Sequence, residues 1–311
     1  MSAHRYWRMV IPHGQRLFGG AGMSDVWLND GVADRIANVT ASLTTFGTAM
    51  NLGDGVISNV WGVYPINAAV FPIYLTFDFG LGYAHDITQV RIRTLPGTYP
   101  LAQLQDAPSY FQWQYSDDGS SWTTYFWGVQ RTTWSLVNNI ATYNKPTADF
   151  SAGARYWALV MNDTQDTRAP VLTEVQLRTA IGGADVTTPA TPVVGGSASG
   201  WMGFYAPWLV DNNNFTHWGS AYYEDFVAFD LSSVQDIREI LMRASSTATL
   251  HDNAPIAGYV LRSSDGAGFE EVTQWSVSSA WSQGTERLIS WEGVTYPEVQ
   301  QLKWPLFVGA L

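Results

Sequence analysis

The sequence predicts an all-β protein built from two tandem β-sandwiches. Three observations lead to this prediction: short motifs that repeat about 150 residues apart, runs of alternating apolar and polar residues, and turns rich in Gly and Asp between those runs. The chain has 311 residues, a length that suits two domains, and each half is long enough to bury a core of its own.

Four motifs of the first half return in the same order in the second half. They are RYW at 5–7 and 155–157, SDV at 24–26 with TEV at 173–175, FDF at 77–79 with FDL at 229–231, and SDDG at 116–119 with SSDG at 263–266. The spacing exceeds the roughly 20–50 residues of a solenoid or propeller repeat and equals the size of a whole domain. We therefore expect two copies of one β-rich module.

Alternation of apolar and polar residues predicts strands over 75–79, 90–93 and 111–115 in the first copy and over 227–231 in the second. Each of these strands is expected to bury one face. Residues 156–161 are apolar at nearly every position, which predicts a strand covered on both faces.

Turns rich in Asp and Gly separate the predicted strands. DDG at 117–119 and DG at 265–266 predict hairpins, because Asp tolerates the turn geometry and Gly supplies a positive φ. Helical periodicity is scarce, and a short helix is expected over residues 32–41. Since there is no alternation of strands with helices, the pattern favours an antiparallel sandwich or a jelly roll.

The stretch from 179 to 200 is rich in Gly, Pro, Thr, Ser and Ala and is almost uncharged, as linkers often are. We therefore expect a first domain over 1–180, a linker over 181–200, and a second, divergent domain with an apolar C-terminal tail over 201–311.

Composition excludes several classes of protein. The net charge is −11 and there are two lysines, so nucleic acid is not an expected partner. There is no Cys, which excludes disulfides, thiolate metal sites and Cys nucleophiles. Residues 1–12 lack the apolar core of a signal peptide, and no apolar run is long enough to span a membrane, so neither secretion by a signal peptide nor membrane insertion is expected.

Several motifs resemble those of one domain family. TFDFG at 76–80 with VRIR at 90–93, the hairpin FQWQYSDDGSSW at 111–122, and the loops at 53–61 and 211–218 are similar to core segments of discoidin (coagulation factor V/VIII type C) domains. RYW at 155–157, followed by LTEVQL at 172–177, resembles the closing strands of that family. The resemblance implies two tandem galactose-binding-like jelly-roll β-sandwiches. The paired cysteines of many members are absent, and the end of the chain from 280 onward matches poorly.

The opening HRYWR and the tandem modules are also similar to tail and fibre proteins of bacteriophages. This similarity implies a virion protein, assembled in the host cytoplasm, whose partners are other virion proteins, a host cell-surface glycan, or both. A homo-oligomer is compatible with that setting, although no heptad repeat specifies one.

Enzyme chemistry finds little support in the sequence. None of the five His lies in an HExxH motif, and there is no GxSxG nucleophile elbow. The adjacent carboxylates Glu224-Asp225 and Glu270-Glu271 point to opposite faces if they lie on strands. We therefore expect a non-enzymatic protein, and a glycan-hydrolysing enzyme is the less favoured alternative.

Aromatic residues beside polar loop residues indicate ligand binding. An exposed ring stacks on the C–H face of a sugar, while polar neighbours bind its hydroxyls. The candidate ligand-binding residues are Trp61, Tyr64, His217, Trp218, Tyr222 and Tyr223. For Trp61 and Trp218 the alternative is a position in the core.

The same two loops carry candidate calcium ligands, namely Asp54 in the first and Asp211 and Asn212 in the second. Calcium prefers carboxylate, amide and carbonyl oxygens. The alternative is that these side chains cap turns.

The apolar C-terminal tail is a candidate interface, with Trp304, Leu306 and Phe307 as its large side chains. It motivates a second hypothesis for function: a structural adaptor that docks to other virion proteins through the modules and the tail.

Overall fold

The computed structural model describes residues 3–12, 21–42, 44, 46–52, 54, 56, 58–63, 72–95, 107–130, 139–147, 150–165, 169–195, 205–220, 225–247, 250–277 and 280–291. Within these ranges the regular structure is almost entirely β-strand, with short 3-10 turns at Ala49–Asn51, Ala206–Val210 and His251–Asn253. No helix in the described part of the chain is long and apolar enough to span a membrane.

The strands that precede Phe150 are β1 (Tyr6–Ile11), β2 (Ala21–Met23), β3 (Asp25–Asn29), β4 (Asp34–Arg35), β5 (Asn38–Ala41), β6 (Phe46–Gly47), β7 (Trp61–Val63), β8 (Ile73–Asp78), β9 (Gln89–Arg93), β10 (Tyr110–Ser116), β11 (Thr123–Val129) and β12 (Ile140–Asn144). The strands that follow it are β13 (Ala154–Thr164), β14 (Val171–Leu172), β15 (Glu174–Arg178), β16 (Val193–Gly195), β17 (Trp218–Gly219), β18 (Asp225–Gln235), β19 (Glu239–Arg243), β20 (Pro255–Ser263), β21 (Gly268–Ser276) and β22 (Glu286–Ser290).

The first sandwich consists of strands β1 to β12. Its larger sheet has the order β5-β8-β1-β10-β11, and a sheet of order β12-β9-β3-β4 packs against it. Trp7, Phe77 and Trp113 project from the larger sheet into one core with Val90 and Ile92 of the smaller sheet. The predicted alternation is confirmed for 75–79 and 90–93, where every second residue of β8 and β9 is buried. The single buried face predicted for 111–115 and 227–231 is wrong, because both faces of β10 and β18 are covered: Tyr110 and Ala228 pack in a separate apolar cluster on the side away from the core.

The second sandwich repeats this plan with strands β13 to β22. Its larger sheet has the order β16-β18-β13-β20-β21, and β15-β19-β22 form the smaller sheet. Trp157 and Phe229 occupy the core positions of Trp7 and Phe77, and they pack with Val175 and Ile240 of the smaller sheet. The all-β prediction is confirmed, and each copy of the repeated motifs forms one sandwich.

The pairing of strands differs from the division predicted at residues 181–200. Strand β13, which the prediction placed in the first domain, pairs with β18 and β20, and β15 pairs with β19. Phe150 already packs in the second core. We infer that the second module begins near Phe150, as the RYW repeat at 155–157 itself indicates.

Much of the predicted linker is part of the second sandwich. Asp185 accepts hydrogen bonds from the Leu177 and Thr187 backbone N–H groups, which folds the chain back on β15. Strand β16 then pairs with β18, and a Cβ on Gly195 would lie 2.6 Å from Nε1 of Trp218. Small residues here permit close packing, a role that composition alone does not separate from a linker. Residues 196–200 lie outside the described residues.

The short helix predicted over 32–41 is wrong. The chain forms strands β4 and β5 there, after a turn in which Asp30 accepts the Val32 and Ala33 N–H groups. Pairing of β5 with β8 supplies backbone hydrogen bonds that local periodicity cannot reveal.

The two sandwiches share a continuous ten-stranded sheet. Strand β11 pairs with β21 through Trp127 opposite Phe269 and Gly128 opposite Gly268. A third apolar cluster covers this junction, and its members come from both sandwiches: Tyr110, Trp127, Val129, Ala158, Val160, Phe226, Ala228, Tyr259, Leu261 and Phe269. The two copies are thus joined by backbone pairing and by burial of side chains.

Candidate functional site

The two tryptophans predicted as ligand-binding residues lie in the cores. Trp61 is 0% exposed and Trp218 is 2% exposed. The Trp61 indole N–H donates to Thr44 Oγ1 at 3.0 Å, and Trp218 pairs with Leu172 between β17 and β14. Neither ring offers a face to a ligand, so the core alternative is the correct one for both.

Other predicted site residues lie outside the described residues. These are Tyr64, Tyr222 and Tyr223 among the ligand-binding residues, and Trp304, Leu306 and Phe307 of the tail. Their predicted roles stay predictions.

The loop that precedes Trp218 is braced by Asp211. Its carboxylate accepts the Asn213 backbone N–H at 2.8 Å and the Thr216 hydroxyl at 2.8 Å. Asn212, between them, has a φ of 57°, a left-handed value that Asn tolerates better than most residues. The capping role weighed for Asp211 is therefore present in the structure.

Aromatic side chains project from this same loop. Phe215 is 83% exposed and Tyr205 is 58% exposed. Trp208 is partly exposed, and its ring meets that of Tyr205 edge-on at 5.1 Å between centroids. Aromatic side chains are enriched at binding surfaces, so this loop is a candidate for ligand binding. Sequence reasoning missed these three residues, although Phe215 lies within the DNNNFTHW loop and Tyr205 and Trp208 shortly precede it.

Polar groups of a neighbouring loop lie beside these rings. Ser246 Oγ donates to the Asn214 carbonyl at 3.1 Å, and the Arg243 guanidinium donates to the Asn214 side chain. His217 Nε2 is 3.4 Å from Thr247 Oγ1. Burial lowers the pKa of His217, which favours the neutral form of its imidazole. We call residues 205–217 together with 243–247 the loop site.

The matching loop of the first sandwich has a different character. Asp54 lies seven residues before Trp61, just as Asp211 lies seven residues before Trp218. Asp54 accepts the Val56 N–H and the Asn59 side-chain amide, each at 2.7 Å. The exposed large side chains described here are Met50 and Val56, which are not aromatic. The copies therefore share the turn and differ in the surface that it presents.

A buried carboxylate lies under the loop site. Glu174 is 0% exposed, and neither of its carboxylate oxygens has a hydrogen-bond partner in the described part of the chain. Burial raises the pKa of Glu174 to about 7; Arg243 opposes this rise, and Asp185 and Asp211 add to it. The Asn212 backbone N–H lies close enough to lower the pKa slightly without reaching full hydrogen-bond geometry.

The first sandwich compensates the equivalent charge. Asp25, the counterpart of Glu174 in the repeat, lies 3.5 Å from Arg93. In the second sandwich the arginine at the matching strand position, Arg243, instead forms an ion pair with Glu286. The carboxylate of Glu174 is therefore less well compensated by a neighbouring arginine than that of Asp25 is.

The calcium site predicted from the sequence stays a proposal, and the second loop is where we place it. Among the described residues no group of three His, Cys, Asp or Glu side chains is arranged to hold a metal ion. The donors that we propose are oxygens of Asp211 and of the Asn212 loop together with Glu174, whose pKa both residues influence. Such a set of oxygens is what calcium prefers. The sequence signal for Glu174 was the acidic residue that both copies carry at one strand position.

Comparison of the chain with protein-family models, with curated proteins and with solved structures finds no match in any of the three. The relation to discoidin domains stays a prediction from the motifs.

Proposed function

We propose that the chain is a non-enzymatic binding protein whose second sandwich recognises a glycan through the loop site. The observation that carries the proposal is the exposure of Phe215 and Tyr205 on a loop that Asp211 braces. A braced loop loses little conformational freedom when it binds, so its rings favour association at low entropic cost.

The chemistry of the loop site suits a sugar. Aromatic rings present flat apolar faces to sugar C–H groups, and the surrounding polar groups can bond hydroxyls. Asn212 and Asn213 are exposed, and the imidazole of His217, whose neutral form is favoured by burial, lies in the same loop. The charged groups of the loop site are already engaged, Arg243 with Glu286 and Asp211 with the loop itself. The remaining apolar and uncharged polar groups favour a saccharide over a strongly anionic polymer such as nucleic acid.

The setting forms part of the proposal. Two tandem galactose-binding-like jelly rolls in a bacteriophage tail or fibre would attach the virion to a host-surface glycan. The motifs and the tandem sandwiches support this setting. The alternative, a structural adaptor that docks through the tail at 302–311, is tested by deleting that segment and measuring assembly of particles. Normal assembly of the truncated protein would exclude the tail as the docking element.

A glycan array with host-envelope polysaccharides tests the proposed binding. We expect Phe215→Ala to weaken binding about tenfold, which corresponds to about 1.4 kcal/mol. The matched control is Tyr83→Ala, because Tyr83 is also an exposed ring but belongs to the first sandwich. No binding by the wild type, or equal losses in both variants, would contradict the proposal.

A further inference from the structure

The outer face of the first sandwich's larger sheet carries an arginine in an unusual setting. Along β1, Trp7 and Met9 point into the core, so Arg8 points to the opposite face. Arg8 lies opposite Gln114 on β10 and opposite Thr76 on β8. Its side chain is partly exposed.

Neighbouring side chains hold the Arg8 guanidinium in place. Its Nε and Nη2 donate to Gln114 Oε1 at 3.0 and 2.6 Å, and Gln114 Nε2 donates to Gln112 Oε1 at 2.7 Å. The guanidinium carbon lies 4.7 Å from the ring centroid of Tyr74 and 4.2 Å from that of Trp122. Both rings are partly exposed. The group is thus oriented, and several of its N–H donors are not used by these bonds.

Arg8 lacks the carboxylate partner that other arginines of this acidic chain have. In the described part of the chain, ion pairs with Asp or Glu are formed by Arg5, Arg35, Arg91, Arg93, Arg155, Arg178, Arg238, Arg243 and Arg262. Arg8 forms none there. Burial lowers the pKa of Arg8 to about 10, so it stays charged at pH 7. An anionic ligand can bind favourably to a half-buried cation that has no anionic partner.

The repeat shows that this arginine is specific to the first copy. RYWR at 5–8 corresponds to RYWA at 155–158, so Ala158 occupies the place of Arg8. Ala158 is buried at the junction with Trp127 and Tyr110 of the first sandwich. In the second copy this position therefore belongs to the junction between the sandwiches, whereas in the first copy it lies beside Tyr74 and Trp122, with all three side chains partly exposed.

We propose that this face is a second binding site, in which Arg8 binds the carboxylate of an acidic saccharide between Tyr74 and Trp122. The planar fork of a guanidinium matches a carboxylate in a two-hydrogen-bond arrangement. The rings suit the C–H face of the sugar, which a free inorganic anion lacks. The inference extends the proposed glycan recognition to a uronic-acid class of ligand, and it uses no residue of the loop site.

Nuclear magnetic resonance of indole N–H groups in the full chain tests this site. The chain has 15 Trp, and the Trp122 signal is assigned by its loss in Trp122→Phe. We expect galacturonate to shift the Trp122 signal at concentrations at least about tenfold lower than galactose does, because only galacturonate offers the carboxylate.

Variants of Arg8 then test its role. Arg8→Ala is expected to weaken galacturonate binding at least about tenfold, and Arg8→Lys, which keeps the charge but not the fork, to weaken it less. If Arg8→Ala does not fold, Arg8→Lys carries the test. Arg238→Ala is the matched control, because Arg238 is partly exposed and paired with Asp236 in the second sandwich.

Three results would overturn the proposal: equal shifts with galactose and galacturonate, unchanged binding in both Arg8 variants, or equally strong shifts of Trp122 with inorganic phosphate. The last would show an anion site without saccharide specificity. Phe215→Ala should leave this titration unchanged, so failure of the loop site and failure of this site are distinguishable.

Discussion

Glu174 is a carboxylate buried in the second sandwich without a hydrogen-bond partner in the described part of the chain. Such a group is stable in its neutral form and costly in its ionised form. Its protonation state therefore links the stability of the fold to the pH.

This burial predicts a stability that falls as the pH rises. The pKa of Glu174 is raised from 4.5 to about 7, so between these pH values the folded protein binds one proton more than the unfolded chain. The free energy of unfolding therefore decreases as the pH rises through this range. In metal-free buffer at pH 8, Glu174→Gln should raise the free energy of unfolding by up to about 3 kcal/mol, and at pH 4 it should have little effect.

Urea unfolding at the two pH values measures this difference. Glu270→Gln is the control, since Glu270 is paired with Arg262 and partly exposed, and it should not stabilise the protein at pH 8. A Glu174→Gln variant that is equally stable relative to wild type at both pH values would show that Glu174 is ionised and compensated in the fold.

Bound calcium should offset the destabilisation of the fold that ionised Glu174 causes. Thermal unfolding at pH 8 is expected to shift upward when calcium is added to the wild type, by an amount equivalent to about 2.7 kcal/mol at a hundredfold excess over Kd. The shift should vanish in Glu174→Gln and in Asp211→Asn and persist in Asp54→Asn. An equal shift in all four proteins would exclude the proposed calcium site.

Strands β11 and β21 pair across the two sandwiches, and β12 packs against β21 beside this pairing. The packing of β12 depends on a residue without a side chain, Gly268. A Cβ on Gly268 would lie 1.6 Å from the Asn144 backbone carbonyl oxygen, and backbone cannot move aside as a side chain can. The close approach of β12 to the junction therefore requires Gly at this position.

Gly268→Ala should destabilise the protein by about 2–3 kcal/mol, because the overpacked junction must separate. Gly80→Ala is the control: Gly80 has a φ of 90° with open space around it, so its cost is limited to about 1 kcal/mol of backbone strain. Chemical denaturation measures both. A Gly268→Ala protein no less stable than Gly80→Ala would show that β12 does not pack against β21 as described.

Elements with strong local signals were predictable from the sequence, and elements defined by their partners were not. The two hairpin turns are confirmed: Gly119 and Gly266 have φ values of 73° and 77°, and Asp118 and Asp265 accept backbone N–H groups of the turns. Strands β4, β5 and β16 were missed, because two to four residues carry too little alternation and the pairing strand supplies their hydrogen bonds.

The site was less predictable than the fold for a similar reason. A Trp beside a DG-type loop has the same sequence signature whether it packs inward or stacks on a ligand, and both Trp61 and Trp218 pack inward. Phe215 and Tyr205 were identifiable only after the loop geometry showed which rings remain exposed.

The whole molecule uses one framework for two different surfaces. The duplicated strands form both cores, whereas the sheet face with Arg8 and the loop site differ between the copies. The shared sheet across β11 and β21 holds the copies together, so ligands bound at the two surfaces would be carried by one connected body. Duplication thus fixes the fold, and divergence at the surface is where we place recognition.

Hydrogen–deuterium exchange of the full chain, with and without a host-surface polysaccharide that it binds, tests the central claim most directly. Glycan recognition by the second sandwich predicts slower exchange at residues 205–217 and 243–247, with residues 46–63 of the first sandwich unchanged. Slower exchange at 46–63 with no change at the loop site, or no bound polysaccharide at all, would contradict the claim.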